Sequence, residues 1–431
     1  MANSSCYAAA IAALLFGCTS TQPPDQSEDP TLGSGSGFHD PLPPRPVHPS
    51  PSCIEGVPSG SLLASFDITG GDQVAVDAAG NIFYTADTGI VKLAADGANV
   101  FTYGFGSTLA LDAAGNAYVA GAFTQTTDFG GGFVLAPQGN IDVFVVKLSP
   151  RGVPLAAFAL GLCGDGVQSI AVARDGRIAV SGSAMGTAVL DATGKLDFQL
   201  AYFGSVAFDS TGDLFVGGSF TGSLELDSAH VLSAGNATDM DGFVAKVDRD
   251  GNLARSVQLG DAPLPVNNPG FGVVTTPQRQ QIQSIAIDSN DQLAISGQFF
   301  QEMSLFGDTL TNPPDVFEAG EVDGGFAARL DDSLAVTQAH PLFDLTEMDA
   351  VAIDGGGNVI VSAGVVGHIG NGTYPFVTDF AAPGFTIGGN IFSGDARGVA
   401  ADACGNVYWA DDELQPGNLF TVQQRLRVFA H

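Results

Sequence analysis

The chain has 431 residues, which allows two or three ordinary domains or one large repeat fold, and 45% of them are hydrophobic, enough for a core. Its 46 acidic residues against 15 basic ones leave a net charge of -31. A surface this negative repels phosphates and anionic headgroups, which excludes nucleic acid as a partner.

In chain order, the first element is Ala8 to Phe16, a short apolar run. It is too short to span a bilayer and has the length of a signal h-region. It ends Leu15-Phe16-Gly17-Cys18. This resembles a bacterial lipobox, and the resemblance implies that residues 1–18 carry a lipoprotein signal and that Cys18 is lipidated. Residues 19–58 follow as a Pro/Gly/Ser-rich tether that cannot bury enough apolar surface to fold. No other segment is long and apolar enough to be transmembrane. The expected location is a bacterial cell envelope, anchored to the outer membrane or cell surface through the N-terminal lipid only. Plain secretion is the alternative.

Residues 59–431 repeat one pattern seven times: an apolar alternating run, Asp-x-x-Gly-Asn or a variant, and a second alternating run. The turn position falls at Gly80, Gly115, Gly176, Gly212, Asp291, Gly357 and Gly405. The shortest interval holds four short strands, which is one propeller blade. The Asp accepts amides of the turn and the Gly takes φ > 0. Asp77, Asp112, Asp209, Asp288, Asp354 and Asp402 are therefore read as turn caps. The third copy has Ala173 instead, with Asp175 nearby. Longer intervals keep the order and insert residues at one place, between the second and third elements. Gln125 to Asp142, Ser223 to Asp241 and Glu302 to Asp323 are those insertions, all expected on one face of the disc.

The unit Ser169-Ile-Ala-Val, the Asp-x-x-Gly-Asn turn and the run Asp142-Val-Phe-Val-Val-Lys147-Leu resemble the bacterial seven-bladed propeller (SBBP) repeat. Asp241 to Gly251 and Gly325 to Leu330 resemble further copies of its second half, and the first and last copies resemble NHL-type blades. The resemblance implies an all-β fold: a seven-bladed β-propeller of four-stranded antiparallel blades. It implies almost nothing about a substrate.

The last copy lacks its outermost strand, and Leu62-Leu63-Ala64-Ser65-Phe66-Asp67 is an orphan strand before the first copy. The N-terminal strand is expected to complete the last blade and close the ring. That geometry puts Cys53 and Cys404 on one face and Cys163 on the other. A Cys53–Cys404 disulfide is expected, worth about 4–5 kcal/mol in the loop-entropy picture.

Chemistry is sparse. His230, His340, His368 and His431 show no metal spacing, and neither a nucleophile elbow nor a phosphate loop is present. No cofactor is expected. Asp239, Asp241 and Asp323, near the insertions, are weak candidates for a structural Ca²⁺. The leading function is a monomeric binding or scaffold module that holds a protein or glycan at the envelope through one face or its insertion loops. The alternatives are a propeller lyase or hydrolase and a structural envelope component. An enzyme would need His, Arg and carboxylates converging at a channel mouth. A mouth lined by backbone and small residues would favour binding or structure.

Overall fold

The structure, a computed structural model, describes residues 61–430 except 163–165, 235–238, 261–264, 269–271, 276–278, 301, 306–307, 312–322, 343–346, 366–371, 379–384, 387–395 and 416–417. Cys18, Cys53, Cys163, His368 and His431 lie outside the described residues. No described helix is long and apolar enough to cross a membrane.

The described residues form seven four-stranded antiparallel sheets. Six are each cut from one continuous stretch: residues 74–103, 108–159, 167–200, 205–259, 280–342 and 347–386, here blades 1 to 6. The seventh sheet joins both ends of the domain: Ala396–Ala401, Val407–Gln415 and Asn418–Phe429, followed by Leu62–Ile68 at the outer edge. Leu62 pairs with Phe429 and Ile68 with Gln424.

Blade 6 also has four strands, although its outer strand is only two residues long, Phe385–Thr386; the expectation that every insertion falls at one place is corrected. The insertions do not all fall at one place. Three make two-stranded hairpins between the second and third strands of blades 2, 4 and 5. A fourth hairpin, Pro265–Asn268 with Gly272–Thr275, lies in the connection from blade 4 to blade 5. The 79-residue spacing concealed two insertions, because repeat spacing measures length and not its distribution.

A gradient of side-chain size runs from axis to rim. Every inner strand carries a branched aliphatic followed by Ala: Val74-Ala75, Leu109-Ala110, Ile170-Ala171, Val206-Ala207, Ile285-Ala286, Val351-Ala352 and Val399-Ala400. Along a strand these alternate in direction. The Ala meets the aliphatic of the next blade within one apolar cluster: Ala75 with Leu109, Ala110 with Ile170, Ala171 with Val206, Ala207 with Ile285, Ala352 with Val399 and Ala400 with Val74. Sheets that converge on an axis leave room for only a methyl beside a branched side chain there.

Towards the rim the gap widens and Phe fills it. Phe66, Phe101, Phe158 and Phe198, on outer strands, each lie against a turn glycine of the following blade: Gly97, Gly152, Gly194 and Gly251. All four glycines have φ between 78° and 86°. Blade 4 has no Phe at this place in its outer strand, Leu253–Leu259. There the matching turn residue of blade 5 is Leu334, buried and at φ 62°, packed with Val257 and Leu259. The side chain missing from one blade is supplied by the next.

Gly194→Ala would set a methyl 2.0 Å from Phe158 Cδ1, whereas Gly132 has nothing within 4 Å. Both have φ > 0. Gly132→Ala should therefore cost about 1 kcal/mol, from backbone conformation alone, and Gly194→Ala roughly 2–4 kcal/mol. Urea denaturation of the two variants measures the difference.

Candidate binding site at the channel mouth

The opening residues of all seven inner strands line one cavity of about 190 Å³: Gln73 and Val74, Leu109, Ser169 and Ile170, Ser205 and Val206, Ser284 and Ile285, Ala350 and Val351, Gly398 and Val399. All seven inner strands thus start at the same end of the channel. Strands alternate in direction, so the connections between second and third strands and those between blades emerge at this mouth. The Asp turns emerge at the opposite end.

The free edge of each inner strand is the problem such a channel must solve, because its amides have no strand to bond. Here side chains bond them blade to blade. The Val206 amide donates to Ser169 Oγ at 3.1 Å, Ile285 to Ser205 Oγ at 3.2 Å and Val351 to Ser284 Oγ at 3.2 Å. Leu109 N donates to Gln73 Oε1 at 2.9 Å, while Gln73 Nε2 reaches Gln168 O in blade 3 at 3.3 Å. Asp72 stands at the rim, ion-paired with Arg397.

The mouth residues are hydroxyls, an amide, aliphatics, backbone and one carboxylate, Asp72. The described histidines are apart: His230 lies in the hairpin of blade 4, hydrogen-bonded to Asp227, and His340 in the outer strand of blade 5. Among the described residues no three His, Cys, Asp or Glu side chains are grouped to hold a metal ion.

Asp239 and Asp241 are buried at the base of the blade 4 hairpin. Asp241 Oδ2 accepts Gln258 Nε2 at 2.5 Å. Asp142 occupies the equivalent place in blade 2. It accepts the amides of Gln138, at 3.1 Å, and Leu162, at 3.1 Å, so one carboxylate ties a hairpin to an inter-blade connection. Asp323 opens the third strand of blade 5. An Asp is the first or second residue of the third strand in the three blades whose second and third strands are separated by a hairpin. Glycines at φ 134° and 72°, Gly89 and Gly186, begin it where the turn is tight.

The hairpins are anchored. Phe129, in the blade 2 hairpin, is buried against Phe105, Phe123 and Phe144 at centroid distances of 4.9, 5.7 and 4.6 Å. Tyr103 donates its hydroxyl to Phe129 O at 2.9 Å. Leu226 is buried under the blade 4 hairpin. The outward residues Val134 and Val231 are 58% and 60% exposed.

At the opposite end the six aspartates cap their turns. Asp77 Oδ1 accepts the amides of Ala79 and Asn81, both at 3.0 Å. Asp112, Asp209, Asp288 and Asp402 repeat both bonds, and Asp354 bonds the Asn358 amide at 2.7 Å. Sequence reasoning missed a second role. Lys92, Lys147 and Lys246 reach Asp77, Asp112 and Asp209, each at 3.2 Å. Each ammonium lies over an aromatic ring, that of Phe83, Tyr118 or Phe215. The signal was present: a Lys in the third strand beside two apolar residues, in a chain nearly without lysine. In blade 3, where Ala173 replaces the Asp, Arg177 bonds Asp175 at 3.1 Å and crosses to Gly212 O.

Cys404 is disulfide-bonded. Its partner lies outside the described residues.

No family model matches the chain, and no curated protein sequence matches it. Solved structures do. The structure of U3-55K is 10% identical with a TM-score of 0.50, covering 86% of this chain and 98% of that one. Virginiamycin B lyase from Staphylococcus aureus is 10% identical with a TM-score of 0.49, covering 85% and 99%. The Neurospora crassa Pan2 WD40 domain is 11% identical with a TM-score of 0.44, covering 86% and 94%. The chain is a β-propeller. At these identities the likeness concerns the fold alone.

Two outcomes follow for the turn end. Lys92 and Asp77 are 4% and 9% exposed, so Lys92→Met leaves a carboxylate buried without its cation. It should cost about 3 kcal/mol, and Asp77→Asn added to it should recover part of that; thermal unfolding of the two variants checks it. In the turns between third and fourth strands, a hydrogen bond from the Thr193 hydroxyl holds Asp191 below its ordinary value of 3.8, and one from Ser333 does the same for Asp331. A carboxyl depressed by folding stabilises above its unfolded pKa, and that contribution disappears as pH falls through the folded value. NMR titration should give both carboxyls midpoints below 3.8 in the folded chain and ordinary ones in urea.

Proposed function

We propose that the chain is a binding module held at a bacterial cell envelope, engaging a protein through the channel-mouth face. The observation that carries this reading is the composition of the mouth. Strand edges, three serines, one glutamine and the openings of the seven inner strands converge there, and the single carboxylate among them, Asp72, is ion-paired with Arg397 rather than set beside a His or a nucleophile. Such a surface offers shape and hydrogen bonds, which suit recognition better than a reaction. The anchored hairpins of blades 2 and 4 add outward apolar residues, Val134 and Val231, on the same face. Rigid apolar anchors beside a satisfied polar patch are what protein interfaces use.

The likeness of residues 15–18 to a lipobox supports display outside the cell with Cys18 as the lipidated residue. Cys53 is the partner we assign to Cys404, since in sequence it shortly precedes the outer strand Leu62–Ile68, whose start pairs with Phe429 at the end of the sheet that holds the Cys404 turn.

A photo-crosslinking residue at Val134 or Val231 should yield adducts with envelope proteins, and one at Leu196 in the outer strand of blade 3 should not. Equal labelling at the three positions, or none, would overturn the reading.

A further inference from the structure

The geometry points to the mouth as a socket for a cationic side chain, a Lys or Arg carried by a basic protein partner. This rests on the binding reading above and names the partner's chemistry.

The first observation is hydrogen-bond polarity. In an extended strand the amide and carbonyl of one residue point to the same side. The amides of Leu109, Val206, Ile285 and Val351 point into the channel and are consumed by Gln73, Ser169, Ser205 and Ser284. The carbonyls of those four residues face the same way. Four of the seven backbone donors at the mouth are therefore spent, and the carbonyls beside them face the channel. Ammonium and guanidinium groups carry donors only, so they match such a wall, whereas a carboxylate or phosphate does not.

The second observation is size. Small-molecule sites run ~300–1,000 Å³. A cavity of about 190 Å³ is smaller than that range and suits one extended side chain. The aliphatic residues that open the strands are largely buried between blades, so the exposed lining of the cavity is mainly polar.

The third is charge. The chain carries -31. On the mouth face Asp72 is 73% exposed, and Asp87, Asp128 and Glu225 are exposed as well. On this face Arg397 is held by Asp72, and Arg279 at the start of blade 5 is exposed. The three lysines of blades 1, 2 and 4 are committed at the far end. A basic partner meets an acidic rim with little opposing charge, which raises its association rate and guides its side chain to the opening.

Deca-arginine and deca-glutamate peptides, each labelled with a fluorophore, are titrated against the full chain by anisotropy at low salt. Deca-arginine should bind and deca-glutamate should not. Asp72→Asn and the socket-filling Ala350→Leu should each weaken binding by about fivefold or more, while Asp197→Asn on the rim leaves it unchanged. Circular dichroism melting identifies an Ala350→Leu chain that has lost its fold, in which case Asp72→Asn against Asp197→Asn decides. Equal weakening by Asp72→Asn and Asp197→Asn means diffuse attraction and overturns the socket. Absence of deca-arginine binding, with the Val134 and Val231 crosslinks intact, overturns the socket and leaves the binding reading standing. Loss of both overturns both.

Discussion

The narrowness of the space beside the axis governs the rest of the molecule. Flat sheets arranged around a line come closest at their inner strands, and there each blade offers Ala to the Val, Leu or Ile of the next. A larger side chain at any of these alanines would push two blades apart and widen the channel. A smaller aliphatic opposite would leave a void, at a cost of about 1 kcal/mol per methyl or more. Moving outward, the same divergence requires larger groups, and Phe supplies them until, at the rim, the ring must be received by a residue with no side chain. Six inner alanine contacts and four Phe-on-Gly contacts are thus two ends of one geometric requirement. Leu334 shows that volume is what matters: where blade 4 lacks the Phe, blade 5 grows a side chain at the glycine position and accepts φ 62°.

The polar groups follow from the same arrangement. Placing an unpaired strand edge around a channel exposes amides that must be bonded, and serine at the inner-strand opening does this across the blade boundary. The bonding that stabilises the channel thereby shapes its chemistry, since it occupies four backbone amides while the carbonyls beside them face the channel. At the other end the aspartates first cap turns and then hold lysines buried over aromatic rings. Fold stability is concentrated at the turn end, and the mouth is left with a small, accessible cavity.

The hairpins change meaning once seen in place. As interruptions of a repeat they resemble free loops, but Phe129 and Leu226 turn their inner sides into caps over the blade boundaries. Only their outward residues remain for a partner. Asp241, which looked like material for a cation site, serves the same anchoring task through Gln258, as Asp142 does through Gln138 and Leu162.

The sequence by itself determined the blade unit, because a two-residue strand period and a φ > 0 turn are local properties written in Val-Ala-Val-Asp-x-x-Gly-Asn. It determined the turn role of Asp77 and its counterparts for the same reason: donor and acceptor lie within four residues. It located three insertions and the orphan strand at Leu62. Only the tertiary structure decided which side chains meet across blades. Ser169 and Val206, Gln73 and Leu109, Phe158 and Gly194 are 35 to 37 residues apart. Ser205 and Ile285 are 80 apart. No local period encodes those pairings. The channel mouth is assembled from seven such distant segments, so its polarity and size came into view only when the ring placed them side by side.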